Sequence, residues 1–227
     1  MRATMATGQP NFESLDEMAV ATAGMLSEAV SHAAYEVFTD KKFRRLVKFD
    51  SLVQVEQDRI FNELVVAWLV LTRLTLEAPD LRVDADLKAY LALLQSKIGP
   101  AHVASLEKLG VPPTQCDDWE KLIELRYEEY ARDRHQARAA AMELESADKE
   151  LTLDDLSRLQ LFVPVHAVAI GSHHHICRGE TEGRDELFKA VLHPLARFYV
   201  DLRLRFEGVN PGPLLRLRVA LRRLLRG

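Results

Sequence analysis

The sequence predicts an all-α fold, a single-domain helical bundle with about four long helices and several shorter ones. Three observations carry that prediction. Apolar residues recur with a period near 3.6 along most of the chain, and no stretch alternates convincingly with period 2. Glycine and proline are sparse, 10 and 9 among 227 residues, so loops are few and short. Hydrophobic and charged contents of 48% and 28% belong to a globular chain with one substantial core.

Taken in order, residues 1–10 read as a loose N-terminal tail and residues 11–211 as the bundle. A first helix spans about 14–38, with Leu15, Met18, Met25, Leu26, Ala29 and Ala33 at helical spacing. A second spans about 49–76 and is stopped by Ala78-Pro79-Asp80. A shorter helix over 84–97 should end at Gly99-Pro100, with another short one following to Leu109. The loop 110–118 precedes a long helix over 119–146, capped by Asp117 or Asp118. Thr152-Leu153-Asp154-Asp155 resembles a capping box and opens a sixth helix that runs to about Gly179, with Pro164 as a kink. A further helix covers about 184–206. Beyond the loop at 208–213, residues 212–227 form a basic amphipathic C-terminal helix.

Charge is unevenly spread. Residues 178–227 hold 11 Lys/Arg against 6 Asp/Glu, while the whole chain is formally -4. In the last helix Leu214, Leu217, Leu221 and Leu224 share one face, and Arg216, Arg218, Arg222, Arg223 and Arg226 take the other. This suits an anionic membrane surface or a protein partner bound through 214–226, or packing on the acidic body itself. Arginines without interleaved aromatics give no reason to expect nucleic acid.

Cys116 and Cys177 make no disulfide framework, and the N-terminal residues show no apolar signal region. The expected setting is cytoplasmic, at most peripheral to a membrane. The most apolar run, Ile60 to Leu71, is broken by Asn62 and Glu63. It falls short of the ~20 residues that span a bilayer.

The chemistry lies in polar residues on apolar faces. Glu56 and Glu63 fall inside the stripe of the second helix, one heptad apart. A carboxylate there must be protonated, ion-paired or metal-bound. On the 119–146 helix Arg134 sits mid-stripe and Arg126 at its edge, so Glu56 or Glu63 opposite Arg134 would satisfy both charges. Tyr127 and Tyr130 would extend that network. On the sixth helix, Leu156, Val163, Ile170 and Cys177 form the expected stripe. His166 and His173 flank it, and His173 and Cys177 are spaced to share a metal. His174 and His175 read as a helix end whose dipole favours protonated imidazole. Glu28, His32 and Glu36, and likewise Glu128 with His135, read as solvated pairs.

Carboxylates from one helix and imidazoles from another can build a di-iron or di-manganese site. The architecture is similar to that of ferritin-like and haem-oxygenase-like di-iron proteins, and the Glu128–His135 spacing resembles one found in the latter. The Glu-x-x-His of ferritin-like proteins is absent, and Cys177 stands where the later His-x3-Asp/Glu motif needs an acid. No family is assigned. No Gly-rich phosphate loop or G-x-S-x-G is present.

The leading expectation is a metal-dependent oxidoreductase or oxygenase acting on a small anionic substrate. Iron or manganese would be held by Glu56, Glu63, His166 and His173. Tyr127, Tyr130 and Arg134 would line the pocket as catalytic or substrate-orienting groups. The alternative is a non-catalytic helical interaction protein. Its Glu–Arg–His network would be structural, and its Arg-rich last helix would bind the partner. A third expectation is a metal-free enzyme or binder holding a carboxylate on Arg134. A homodimer is compatible with each.

Overall fold

The structure is a computed structural model that describes residues 13–146, 152–179 and 185–207. The tail 1–10 and the basic segment 212–227 lie outside the described residues. Among those described, the fold is all-α with seven helices and no strand. They are α1 (Leu15–Thr39), α2 (Lys41–Leu46), α3 (Gln54–Leu76), α4 (Ala85–Lys108), α5 (Pro113–Ser146), α6 (Leu153–Ile176) and α7 (Glu186–Glu207), with a 3-10 turn at Phe49–Ser51. Six of the seven have 22 residues or more, so long helices are more numerous than the sequence suggested. None is long and apolar enough to cross a membrane, among the described residues.

α3 is the axis of the bundle. It packs against α1, α4, α5, α6 and α7, and every residue from Glu63 to Leu76 is buried. The sequence explains this: beyond Glu63 the run LVVAWLVLTRLTL is apolar on nearly every side, as a helix enclosed by others must be. Its two threonines satisfy their hydroxyls within the helix. Thr72 donates to the Trp68 carbonyl at 2.8 Å and Thr75 to that of Leu71 at 2.6 Å.

Around it the helices pair as α1 with α4 and α5 with α6. α1 buries Ala19, Ala23, Ser27, Val30, Ala34 and Val37, a stripe of mostly small residues that lets its neighbours approach closely. α5 buries Cys116, Ile123, Tyr130 and Ala137 at heptad spacing, and Ala141 one turn further on.

Three boundaries and one buried stripe differ from the sequence expectation. The second expected helix divides: α2 and the 3-10 turn precede α3, so Phe49 and Val53 are not on its stripe. Gly99-Pro100 does not end α4. Ile98 and Gly99 are buried, and a Cβ at Gly99 would stand only 3.6 Å from Ile123 of α5, so packing holds the proline turn in the helix. α5 begins at Pro113, where proline's missing N–H costs nothing, rather than at Trp119. On α6 every residue from Phe162 to Ala169 is buried, Val163 of the expected stripe among them, and towards the two ends Asp155, Leu159, Ser172, His173 and Ile176 are buried while Ile170 is exposed. His166 and His173 therefore lie in the core itself, not on its flank. The expected capping box at Thr152 and Asp155 is present.

Candidate functional site

Polar side chains enter the core mainly where α3 meets α5 and α6. Glu63 is buried, as its apolar flanks require, and its partner is Arg126. The guanidinium grips both carboxylate oxygens, Nη2 to Oε1 at 2.7 Å and Nε to Oε2 at 3.1 Å. Arg126 also reaches Glu129 at 3.2 Å, and Glu129 accepts from or faces His175 Nε2 at 2.8 Å. The chain Glu63–Arg126–Glu129–His175 thus ties α3, α5 and the end of α6 together. Burial alone would make the Arg126 proton easier to lose, but the Glu63 carboxylate more than offsets this and raises its pKa. His175, which the sequence presents only as part of a helix end, reaches across to α5.

Tyr130 sits beside this pair with a fully buried ring. Its ring fills the space above Gly171 of α6, where a Cβ would fall 2.1 Å from Tyr130 Cε1. Glycine is required there because α5 and α6 approach through an aromatic ring. The Tyr130 hydroxyl makes no hydrogen bond with the described residues, and burial pushes its pKa well above the ordinary phenol value.

A second polar group lies further along α3. Arg73 pairs with Glu124 at 2.6 Å and lies over the Tyr127 ring, 3.8 Å from its centroid. Tyr127 donates to Glu77 at 2.5 Å, and Arg134 reaches the same carboxylate at 3.2 Å. Burial first, and then the Glu77 carboxylate, lift the Tyr127 hydroxyl to about 12. Tyr127 and Glu77 border a cavity of about 450 Å³ together with Gln95, Lys88 and Leu81. Two of the three expected catalytic residues, Tyr127 and Arg134, are therefore joined through Glu77. Tyr130 belongs to the other group.

Arg134 does not meet Glu56 or Glu63. It lies eight residues beyond Arg126, about 12 Å along the helix, and its head turns outward to Glu77 while a third of its side chain remains exposed. Glu56 sits at the end of the bundle between two arginines, Arg59 at 3.0 Å and Arg178, which hold its carboxyl below the ordinary range. Arg59 also caps α6, donating to the carbonyls of His175 at 2.7 Å and Ile176 at 3.0 Å. His173 Nε2 lies 3.1 Å from Asp185 Oδ1, the oxygen that also accepts from the Phe188 N–H. Burial lowers the His173 pKa, and Asp185 recovers part of that.

This arrangement does not fit a carboxylate–imidazole metal centre. The oxygens of Glu63 and Glu56 are turned to arginines, and His173 faces a helix-capping aspartate. Among the described residues no three His, Cys, Asp or Glu side chains gather in a way that would hold a metal ion. His32 and Glu36 form an exposed pair, and Glu128 and His135 are exposed.

Sequence reasoning missed Arg203 of α7. It is buried and pairs with Asp80 at 2.7 Å, with Glu207, and with the Tyr199 hydroxyl at 2.9 Å. It missed His102 as well, which contacts Ser27 Oγ at 3.0 Å and is held at about 4 by burial. Both are single polar residues within apolar stripes, the signal that did reveal Glu63.

These elements define an all-α bundle with an arginine–carboxylate core. Compared with family models, curated proteins and solved structures, the chain finds no match.

Proposed function

We propose that this chain is a non-catalytic helical interaction protein whose buried Glu–Arg–His network is structural. The observation that carries this reading is Glu63: the acid that suggests a metal ligand in sequence gives both its oxygens to Arg126. A buried carboxylate held by a bidentate guanidinium already has its counter-charge and needs no metal ion to supply it. Tyr127 and Tyr130, both with raised pKa values, remain neutral phenols near pH 7 and are poor proton acceptors. The Arg-rich segment 214–226, outside the described residues, is the binding surface that the sequence offers.

The rival reading, a metal-dependent oxidoreductase, requires Glu63 to leave Arg126. Two measurements separate them. Untagged protein, purified without a nickel column, is assayed for iron and manganese by mass spectrometry before and after anaerobic iron loading. A double-mutant cycle on Glu63→Gln and Arg126→Leu then reads their coupling in stability. The proposal expects strong coupling and no stoichiometric metal. One or two metals per chain, lost in Glu63→Gln without unfolding, would overturn it.

A further inference from the structure

Residues 41–48 carry five basic side chains, Lys41, Lys42, Arg44, Arg45 and Lys48, and no acidic one, in a chain whose net charge is -4. α2 and the 3-10 turn shape them into an open groove of about 570 Å³, lined by Lys41, Arg44, Arg45 and Lys48 with Phe49 and Asp50.

The groove is built on a fixed platform. Asp40 caps α2 by accepting from the Phe43 N–H at 2.8 Å. Phe43 and Phe49 are buried anchors. Phe49 packs edge-on against Phe38 at 5.1 Å, and Phe38 against Phe61 at 5.0 Å. The Arg44 guanidinium lies 3.6 Å above the Phe49 ring, so its position is set by stacking. Lys48 adopts a left-handed conformation, φ 52°. Its carbonyl accepts from the Ser51 amide at 2.9 Å and the Ser51 hydroxyl at 2.7 Å. Gln57 donates to the Leu52 carbonyl at 3.0 Å and pins the exit.

These cations are poorly compensated. Lys42 turns away to Glu186 at 2.7 Å, and Asp50 stands 3.8 Å from Arg44. Among the described residues no carboxylate lies within ion-pair distance of Lys41, Arg45 or Lys48. The dipole of α2 accounts for Arg44 and Arg45 in its last turn. It disfavours Lys41 in the first turn, and it does not explain the concavity.

We propose that this groove binds a phosphate-bearing polyanion, the chemistry shared by a free polyphosphate and a phosphorylated lipid headgroup. Several cations converging on one concavity call for a compact multivalent anion. Two arginines among them favour the forked hydrogen bonding that phosphate oxygens accept. The groove uses no residue of the Glu63 network, so it holds or falls separately from the interaction-protein reading.

The full-length chain is titrated with inositol hexakisphosphate by calorimetry. In parallel it is floated with phosphatidylcholine vesicles, with and without phosphoinositide. The variants are Arg45→Gln with Lys48→Asn, where asparagine tolerates the left-handed turn, and the charge reversal Arg45→Glu with Lys48→Glu. Circular dichroism checks that each is folded. The expected result is saturable, salt-sensitive binding in at least one arm, weakened about tenfold or more by the neutral pair and further by reversal. Binding of the soluble probe identifies a free polyphosphate site; binding to phosphoinositide vesicles alone identifies a lipid headgroup site. The proposal is overturned if neither probe binds, or if the variants leave binding unchanged. Binding lost only when Arg222 and Arg223 are substituted would also overturn it.

Discussion

The two helix pairs around α3 are held by different chemistries. α1 and α4 meet each other through small and neutral contacts: alanines on α1, a Ser27–His102 hydrogen bond at 3.0 Å, and a Tyr90–Thr22 bond at 2.8 Å. Their ion pair, Lys97 with Asp16, sits at a partly exposed rim. On the other side the contacts are charged: Glu63 and Arg73 of α3 pair with Arg126 and Glu124 of α5, and Glu129 of α5 pairs with His175 of α6. Small-residue packing rewards close approach but barely distinguishes one axial position from another. Ion pairs of opposite polarity along one helix do distinguish them. Glu63 is the acid of its pair and Arg73 the base of its own, so exchanging their partners would set like charges together. The charged side fixes the arrangement, and the neutral side tightens it.

That contrast can be broken by mutation. The largest effect is expected from Arg126→Leu, which leaves Glu63 buried without a counter-charge. Denaturant unfolding should show a loss of about 3–5 kcal/mol. A loss below about 1 kcal/mol would mean that the charged side is decoration. The neutral side should answer to pH instead. Burial keeps the folded His102 near 4, against 6.5 for the free side chain. The unfolded chain therefore takes the proton first. Stability is fully present above about 6.5 and is lost as pH falls toward 4, by about 3 kcal/mol. Replacing His102 with Gln should flatten that part of the stability–pH curve, and an unchanged slope would place the acid sensitivity elsewhere.

Smaller effects sharpen the picture. Gly171→Ala drives a Cβ into the buried Tyr130 ring and should cost about 1–3 kcal/mol in thermal unfolding. Glu124→Ala should cost about 1–3 kcal/mol, because it leaves the buried Arg73 guanidinium without its carboxylate, and less in high salt, since Glu124 itself is over half exposed. Tyr130→Phe should be nearly neutral, since its hydroxyl has no hydrogen-bond partner among the described residues. A marked loss of stability there would point to a bond that the static geometry does not contain.

The fold class, the capping box at Thr152 and the burial of Glu63 were legible in the sequence. Each is a local property of one helix. The partner of Glu63 was not, because periodicity places a residue on a face but says nothing of its height against the neighbouring helix. Arg126, at the edge of its stripe, reaches inward on its long stem; Arg134, at the centre, reaches outward. The stripe of α6 was misplaced for a related reason. Its buried positions include Asp155, His166 and His173, so a reading weighted by apolar residues settles on Ile170, which is exposed.

The enclosed α3 has a consequence for synthesis on the ribosome. When Leu76 is translated, the chain contains α1 and α2 but none of α4 to α7. The run from Leu64 to Leu71 then lacks most of its packing partners, and 131 residues follow before α7 is complete at Glu207. At ~5–20 residues per second this segment waits roughly 6–25 s with apolar surface on several faces. Of all segments in the described chain, it is the one most in need of a chaperone's cover during translation, and the one where slowed elongation would do most harm.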